Sequence, residues 1–332
     1  MTELTAQGVV TPEQHDATVA AVVRALLGGV PWSRARKLCS AGRVWKGDEA
    51  LTDPATRVQA GDEIHVVGAG QAARAKRREI TLLHVDPDVV VVDKPAGVLT
   101  VPYQGDERDT LMHLTHSALR RLEGKRHLPP LRVVQRLDKD TTGALVFARN
   151  RKAERGLGEQ FRRHSVERLY LGLAYDRVMA GSHDTWLVPD RGDGRRGSWH
   201  PSRGRQRPPS ARRAVTHVLV RERLEGPDLQ WDGSNQPGAI TLVSCRLETG
   251  RQHQIRIHLA EAGHPLVGEK VYDRQYLGPR LHAFCEGRGR PMLHAADLGF
   301  MHPTRDRSVR FTSDLPTDFA DLLSQLAVET GR

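Results

Sequence analysis

Past residue 80 the chain is a succession of short apolar runs separated by turn residues, with few helical stretches between them. Strand-like runs fall at Ile80–Val85, Val89–Asp93, Leu131–Val134, Ala144–Ala148, Leu169–Tyr175, Ala214–Val220, Ala239–Leu247, Asp297–Met301 and Ser308–Phe311. Helical spacing is confined to Thr110–Leu122, Lys152–Arg163, His253–Ala262 and Thr317–Val328. Many strands with few helices between them predict an α+β fold on a mixed, largely antiparallel sheet, not a doubly wound one.

The first part of the chain reads differently. Residues 14–28 have the pattern of an amphipathic helix, with Val19, Val22, Val23, Leu26 and Leu27 at helical spacing. Pro31 and Ser33 open a second helix, Arg34 to Ala41, where Ser33 can cap the free amides. Gly42 ends it in the left-handed conformation. Short strands at Arg43–Lys46 and Ile64–Val67 complete a small ααββ unit over residues 13–68. Residues 69–79, small and basic, read as a linker, and a larger domain is expected over residues 80–330. Two stretches interrupt that domain. Residues 181–213 are rich in Gly and Pro and carry eight arginines from Arg191 to Arg213, and residues 225–237 are polar. Loops this long are functional or disordered. The first reads equally as a basic arm that orders on RNA and as a solvated insertion.

Composition narrows the class of function. A net charge of +10 over 332 residues suits a polyanionic partner, because cations near phosphates release condensed counterions. Cys39, Cys245 and Cys285 are far apart and form no Cys-x-x-Cys, which excludes a disulfide framework or a structural zinc site. No apolar run reaches the ~18 residues of a membrane helix. The start lacks a basic segment followed by an apolar one, so a cytoplasmic protein is expected.

Two runs carry chemistry. In Gln135-Arg136-Leu137-Asp138-Lys139-Asp140-Thr141-Thr142-Gly143 a strand ends in a charged loop. A carboxylate there, beside an arginine and backbone donors, can serve as nucleophile or base. The same residue types also make a plain turn. The second run is Thr249-Gly250-Arg251-Gln252-His253-Gln254-Ile255-Arg256-Ile257-His258, then Gly263-His264-Pro265-Leu266-Val267-Gly268. If it is helical, Gln252, Arg256 and Leu259 share a face. His253 and His258 lack the i, i+4 spacing of a metal pair, and no metal is expected.

On these runs the chain resembles the RluA-type pseudouridine synthases. Arg136 to Gly143 match that family's motif around its aspartate, and Thr249 to His258 match its Thr-Gly-Arg-x-His-Gln motif. Gly263 to Gly268, Lys94 to Gly97, Leu293-His294-Ala295 and Phe300-Met301-His302-Pro303 match further elements in the family's order, across about residues 80 to 325. The N-terminal unit resembles an S4 RNA-binding domain through Ser33 to Leu38, Ala41 to Val44 and Gly61 to Ile64. In that unit Arg34, Arg36, Lys37 and Arg43 are the expected RNA contacts.

The resemblance implies isomerisation of uridine to pseudouridine in structured RNA, without cofactor. It assigns catalysis to Asp138, Tyr170 and Arg256, with Arg256 in a direct ion pair to Asp138. Ile255 is the expected wall against the base, Arg136 the residue that fills the gap left by a flipped nucleotide, and Arg251 and His253 further substrate contacts. His294 and His302 are expected to support the fold. Large-subunit ribosomal RNA is the favoured partner, transfer RNA the second, and a monomer is expected. Gln135 stands where the family often has His, and Glu269 where it commonly has Asp. Two rival readings differ in class. A haloacid-dehalogenase-type phosphatase fits Asp138-Lys139-Asp140-Thr141 but lacks the apolar run before Asp138 and a later acidic pair. A catalytically idle RNA-binding protein conflicts with intact Asp138, Tyr170 and Arg256.

Overall fold

The computed structural model describes residues 4–47, 49–68, 80–102, 109–201, 206–226, 238–272 and 289–329. The chain divides into two compact units, Met1–Arg78 and Glu79–Arg332. The expected linker at 69–79 lies outside the described residues, as does Cys285.

In the first unit, strand β1 (Leu4–Val9) precedes a 3-10 turn (Pro12–Gln14), helices α1 (Val19–Leu26) and α2 (Trp32–Ser40), and strands β2 (Val44–Lys46), β3 (Glu49–Ala50) and β4 (Glu63–Val67). The strands form an antiparallel sheet in the order β1-β4-β2-β3. Val19, Val22 and Val23 bury one face of α1 against Ala35, Cys39, Ile64 and Val66. The unit therefore starts earlier than residue 13, with a strand that the ααββ reading lacks. Helix α2 also starts earlier than expected. Pro31 is its N-cap, so Ser33 lies inside the first turn and caps nothing. Its end is as expected: Gly42 has φ +65°, and the amides of Gly42 and Arg43 donate back to the carbonyls of Cys39 and Leu38.

The second unit is an eleven-stranded mixed sheet. Its elements are β5 (Thr81–Val85), β6 (Val89–Lys94), α3 (Leu111–Glu123), β7 (Arg132–Val133), β8 (Thr142–Ala148), α4 (Arg151–Arg162), β9 (Glu167–Tyr175), β10 (Gly181–Val188), β11 (Gly197–Ser198), β12 (Arg212–Gly226), β13 (Gly238–Leu247), α5 (Gln254–Glu261), β14 (Leu293–Met301), β15 (Ser308–Thr312) and α6 (Thr317–Glu329). The order is β11-β10-β12-β13-β9-β14-β8-β6-β5, with β15 on β14 and β7 on β8. Pairing is antiparallel except between β14 and β8, where His294 and Ala295 register with Thr142 and Gly143.

Period-2 alternation explains why β6 and β8 are apolar on both faces. Val90, Val92, Leu145 and Phe147 point into the cluster shared with α3 and α5. Val89, Val91, Ala144, Val146 and Ala148 point into the cluster shared with α4. Helix α6 covers β9 and β13 through Phe319, Leu322 and Leu326. The first face carries the expected site residues Tyr170 and Ile255, together with Leu137 beside Asp138.

The interruption expected at 181–213 begins and ends in sheet. Its first part is β10, paired with β12 from Gly181↔Val218 to Leu187↔Arg212, and β11 adds a short edge. Residues 202–205 and 227–237 lie outside the described residues, and Glu225–Gly226 belong to β12. Cys39 and Cys245 are buried free thiols, whose burial pushes them up to about 11 and about 12.

The parallel contact of β8 with β14 depends on Gly143. Its φ is +113°, and a Cβ there would lie 2.2 Å from the Ala295 carbonyl oxygen. Gly143→Ala is expected to cost about 3 kcal/mol, from an unfavourable backbone conformation and a backbone clash. Urea unfolding measures this; an unchanged midpoint would contradict the register.

Candidate active site

Strand β7 leads into a loop that is open to a cleft of about 870 Å³. Asp138 lies at the start of a β-turn closed by the Thr141 amide, which donates to the Asp138 carbonyl at 3.2 Å. Two buried cations fix this turn from behind. Lys94, with no exposed surface, ends β6 and donates Nζ to the carbonyls of Pro95 (3.0 Å), Lys139 (2.7 Å) and Thr141 (2.9 Å). Arg290 donates Nη1 to the carbonyl between them, Asp140, at 3.2 Å, and is itself forked onto Asp318 at the start of α6. On the other side the Thr100 hydroxyl donates to the Leu137 carbonyl (2.8 Å) and accepts from the Leu137 amide (3.2 Å). Backbone carbonyls on both sides of Asp138 are thus held by buried donors, which restricts where its side chain can point.

The opposite wall is the turn into α5. Arg251 N donates to Gln254 Oε1 (3.0 Å), and Gln254 Nε2 donates to the Val215 carbonyl (2.9 Å) on β12. His253 is the N-cap in the left-handed region at φ 58°. Gln252 therefore precedes the helix and shares no face with Arg256 and Leu259. Ile255, 3% exposed, faces the cleft, and Tyr170, 8% exposed, faces it from β9. Burial pushes the Tyr170 hydroxyl up, and the Asp138 charge adds to this, so it stays protonated near neutral pH.

The expected direct ion pair is present only at long range. Arg256 Nη1 stands 3.9 Å from Asp138 Oδ2. Its close partner is Glu269, which accepts from Nε and Nη2 at 2.6 Å each. Glu269 also accepts from the amides of Val271 (2.8 Å) and Tyr272 (3.3 Å). A planar guanidinium matches one carboxylate through two parallel bonds and keeps its remaining nitrogen for another. Burial alone would raise the Glu269 carboxyl, but the Arg256 fork holds it below its ordinary 4.5. The second oxygen of Asp138, Oδ1, is 3.9 Å from His253 Nε2.

Residues 88–261 match the RNA pseudouridylate synthase family. The ribosomal large subunit pseudouridine synthase D of Zymomonas mobilis is 32% identical over 89% of each chain. The chain belongs to the RluA-type RNA pseudouridine synthases. The synthase D of Xylella fastidiosa is 34% identical over 74% of this chain and 69% of its own. The human protein RNA pseudouridylate synthase domain containing 4 shares the fold, with TM-score 0.56 at 24% identity over 74% of this chain and 92% of that one. This RNA pseudouridine synthase is an isomerase acting on RNA.

Asp138, Tyr170, Arg136, Arg251, His253, Ile255 and Arg256 all line the same cleft. Arg136 is exposed, and Arg251 donates Nε to the Arg213 carbonyl at 3.0 Å. In the first unit Arg34, Arg36 and Lys37 are exposed on α2. Arg43 is only half-buried and turns Nε to the Val67 carbonyl at 2.8 Å, a sheet contact. His294 accepts from Thr142 Oγ1 at 2.9 Å and donates to the Ser313 carbonyl at 3.0 Å. His302 bonds Asp86 at 2.8 Å. Asp86 and Asp88 beside it are engaged by the amides of Asp88 and Val89, by Asn150 and by Thr304, as in a structural turn. The sequence reading missed the anchoring roles of Lys94, Arg290 and Glu269. A lysine closing an otherwise apolar strand was the available signal for Lys94.

Glu269→Gln should strand the buried guanidinium and lower stability at pH 7 by about 3 kcal/mol. Because the Glu269 carboxyl lies below its ordinary value, the pair stabilises fully above pH 4.5 and loses its contribution as pH falls through the lower folded value. The unfolding curves of the wild type and of the Glu269→Gln variant should therefore converge in acid. A constant gap at every pH would contradict the pairing.

Proposed function

We propose that this synthase isomerises uridines of large-subunit ribosomal RNA and that Asp138 is its catalytic group. One observation carries the reading. The Asp138 carboxylate faces a cleft whose walls are a buried tyrosine and a buried isoleucine, with a guanidinium 3.9 Å away. The cleft's volume falls in the range of small-ligand sites, about 300–1,000 Å³, so it has room for one extruded nucleotide. The names of the relatives supply the RNA class.

The reaction is balanced without any added reagent. The N1–C1′ bond breaks, the uracil turns, C5 bonds to C1′, C5 gives up its proton and N1 takes one up. A duplex or stacked loop hides these atoms, so the nucleotide must leave its stack at a cost of a few kcal/mol. Exposed Arg136 stands two residues before Asp138 and is suited to occupy the vacated space. Tyr170 can stack on the base as a neutral ring, and Ile255 can hold its other face. Arg251 and His253 line the same rim and are suited to the ribose and flanking phosphates. In the first unit, the exposed Arg34, Arg36 and Lys37 of α2 are suited to phosphate contacts of an S4 kind, which fix position without reading sequence.

Large-subunit ribosomal RNA labelled with tritium at uracil C5 reports the reaction directly, since the label is lost only when C5 becomes bonded to C1′. The wild type should release tritium from it and not from transfer RNA. Asp138→Asn should reduce release by about 10³-fold or more while RNA affinity changes less than about threefold. Turnover near wild type in that variant would refute the assignment; release from transfer RNA alone would reassign the substrate.

A further inference from the structure

His253, placed above on the rim of the cleft, is bonded from behind by Tyr272, to which the reaction as described assigns no part. Tyr272 Oη lies 2.7 Å from His253 Nδ1, with the rings edge-on at 5.6 Å. The other ring nitrogen, Nε2, points to Asp138 Oδ1 at 3.9 Å. His253 is held in a backbone conformation that costs a non-glycine residue about 1 kcal/mol, at the position where its ring meets both partners.

A hydroxyl can donate or accept, so the Tyr272 bond alone fits either tautomer. An Asp138 carboxylate offers only lone pairs, which favours the proton on the nitrogen that faces it. In a neutral imidazole that leaves Nδ1 as acceptor, and the Tyr272 hydroxyl donates to it. Burial lowers His253 and so favours the neutral ring, with Asp138 and Glu269 opposing and Arg256 and Arg196 assisting. Burial pushes Tyr272 up to about 12, which keeps its hydroxyl a donor. Tyr272 is itself positioned by the residue that holds Arg256, because its amide donates to Glu269 Oε1 at 3.3 Å and its ring lies 5.4 Å from the Arg256 guanidinium. Each oxygen of Asp138 therefore faces a donor, and both donors trace back to the segment from Glu269 to Tyr272.

We infer that Tyr272 is a positioning residue that sets the His253 ring with its Nε2–H toward Asp138, so that His253 orients the carboxylate for attack. The distance of 3.9 Å is too long for a hydrogen bond. Catalytic contacts that are long in a free enzyme can shorten once substrate fills the site. This inference rests on Asp138 being the catalytic group.

The test is single-turnover tritium release from C5-labelled large-subunit ribosomal RNA, with enzyme in excess and RNA affinity measured alongside. Tyr272→Phe keeps the ring and removes the donor. It should slow the chemical step by about 10- to 100-fold with affinity changed less than about twofold. His253→Gln keeps an amide donor near the place of Nε2 without a tautomer to select, and should retain more activity than His253→Ala. In the His253→Gln background, Tyr272→Phe should cost less than about twofold more, because its only route of action is gone. Losses that multiply across the two sites would overturn the inference, and so would an unchanged rate in Tyr272→Phe. Wild-type protein that releases no tritium would instead refute the functional reading, and this inference with it.

Discussion

The guanidinium of Arg256 serves two carboxylates at once. It is forked onto Glu269 at 2.6 Å through two nitrogens, and its third nitrogen stands 3.9 Å from Asp138. A buried arginine without a partner is costly, and one locked onto Asp138 would tie up the oxygens that the proposed chemistry needs. Glu269 resolves this conflict. It neutralises Arg256 at full hydrogen-bonding strength and leaves the third nitrogen turned toward the cleft side. Asp138, about one-quarter exposed, remains reachable from the cleft while its environment stays polarised.

The same division between a rigid support and a free reactive group recurs in the Asp138 turn. The carbonyls of residues 137, 139, 140 and 141 are each taken by a buried side chain, from Thr100, Lys94, Arg290 and Lys94. These donors come from β6, from the loop after it and from the entry to β14. The central strands thus fix the loop through its backbone and leave its side chains toward the cleft. Gly143 completes the arrangement by letting β8 approach β14 at a distance no side chain would permit. A turn anchored this way has few ways to relax when RNA binds, which suits the precise placement that the proposed role of Asp138 requires.

Much of this is legible in the sequence, and the failures have identifiable causes. Strands β6, β8, β9 and β13 are apolar runs, because each is covered on two faces, and periodicity finds such runs readily. Strand β10 (GSHDTWLV) resembles a loop in sequence, since it lies near the sheet edge and its run from Gly181 to Thr185 has no large apolar residue and no alternation. Strand β1 (LTAQGV) carries too weak a pattern to stand out. The cleft residues are legible because motifs shared with a family place Asp138, Tyr170, Ile255 and Arg256 together, something no local spacing could do. What motifs could not give was pairing. Arg256 chooses Glu269 over Asp138 through the path of the chain after Gly268, which admits only glycine: its φ is +78°, and a Cβ there would lie 2.1 Å from the Arg290 carbonyl oxygen. Ser33 fails as a cap because Pro31, two residues earlier, already starts the helix.

The proposed chemistry requires a single nucleotide to leave its RNA and enter the cleft beside Asp138. A crystal structure with a ribosomal RNA fragment bearing 5-fluorouridine at the modified position tests it most directly. The fluorinated base should lie between Tyr170 and Ile255, with its sugar against the Asp138 carboxylate and Arg256 still forked onto Glu269. A base that remains stacked in the RNA, or that lodges away from the Asp138 carboxylate, would contradict it.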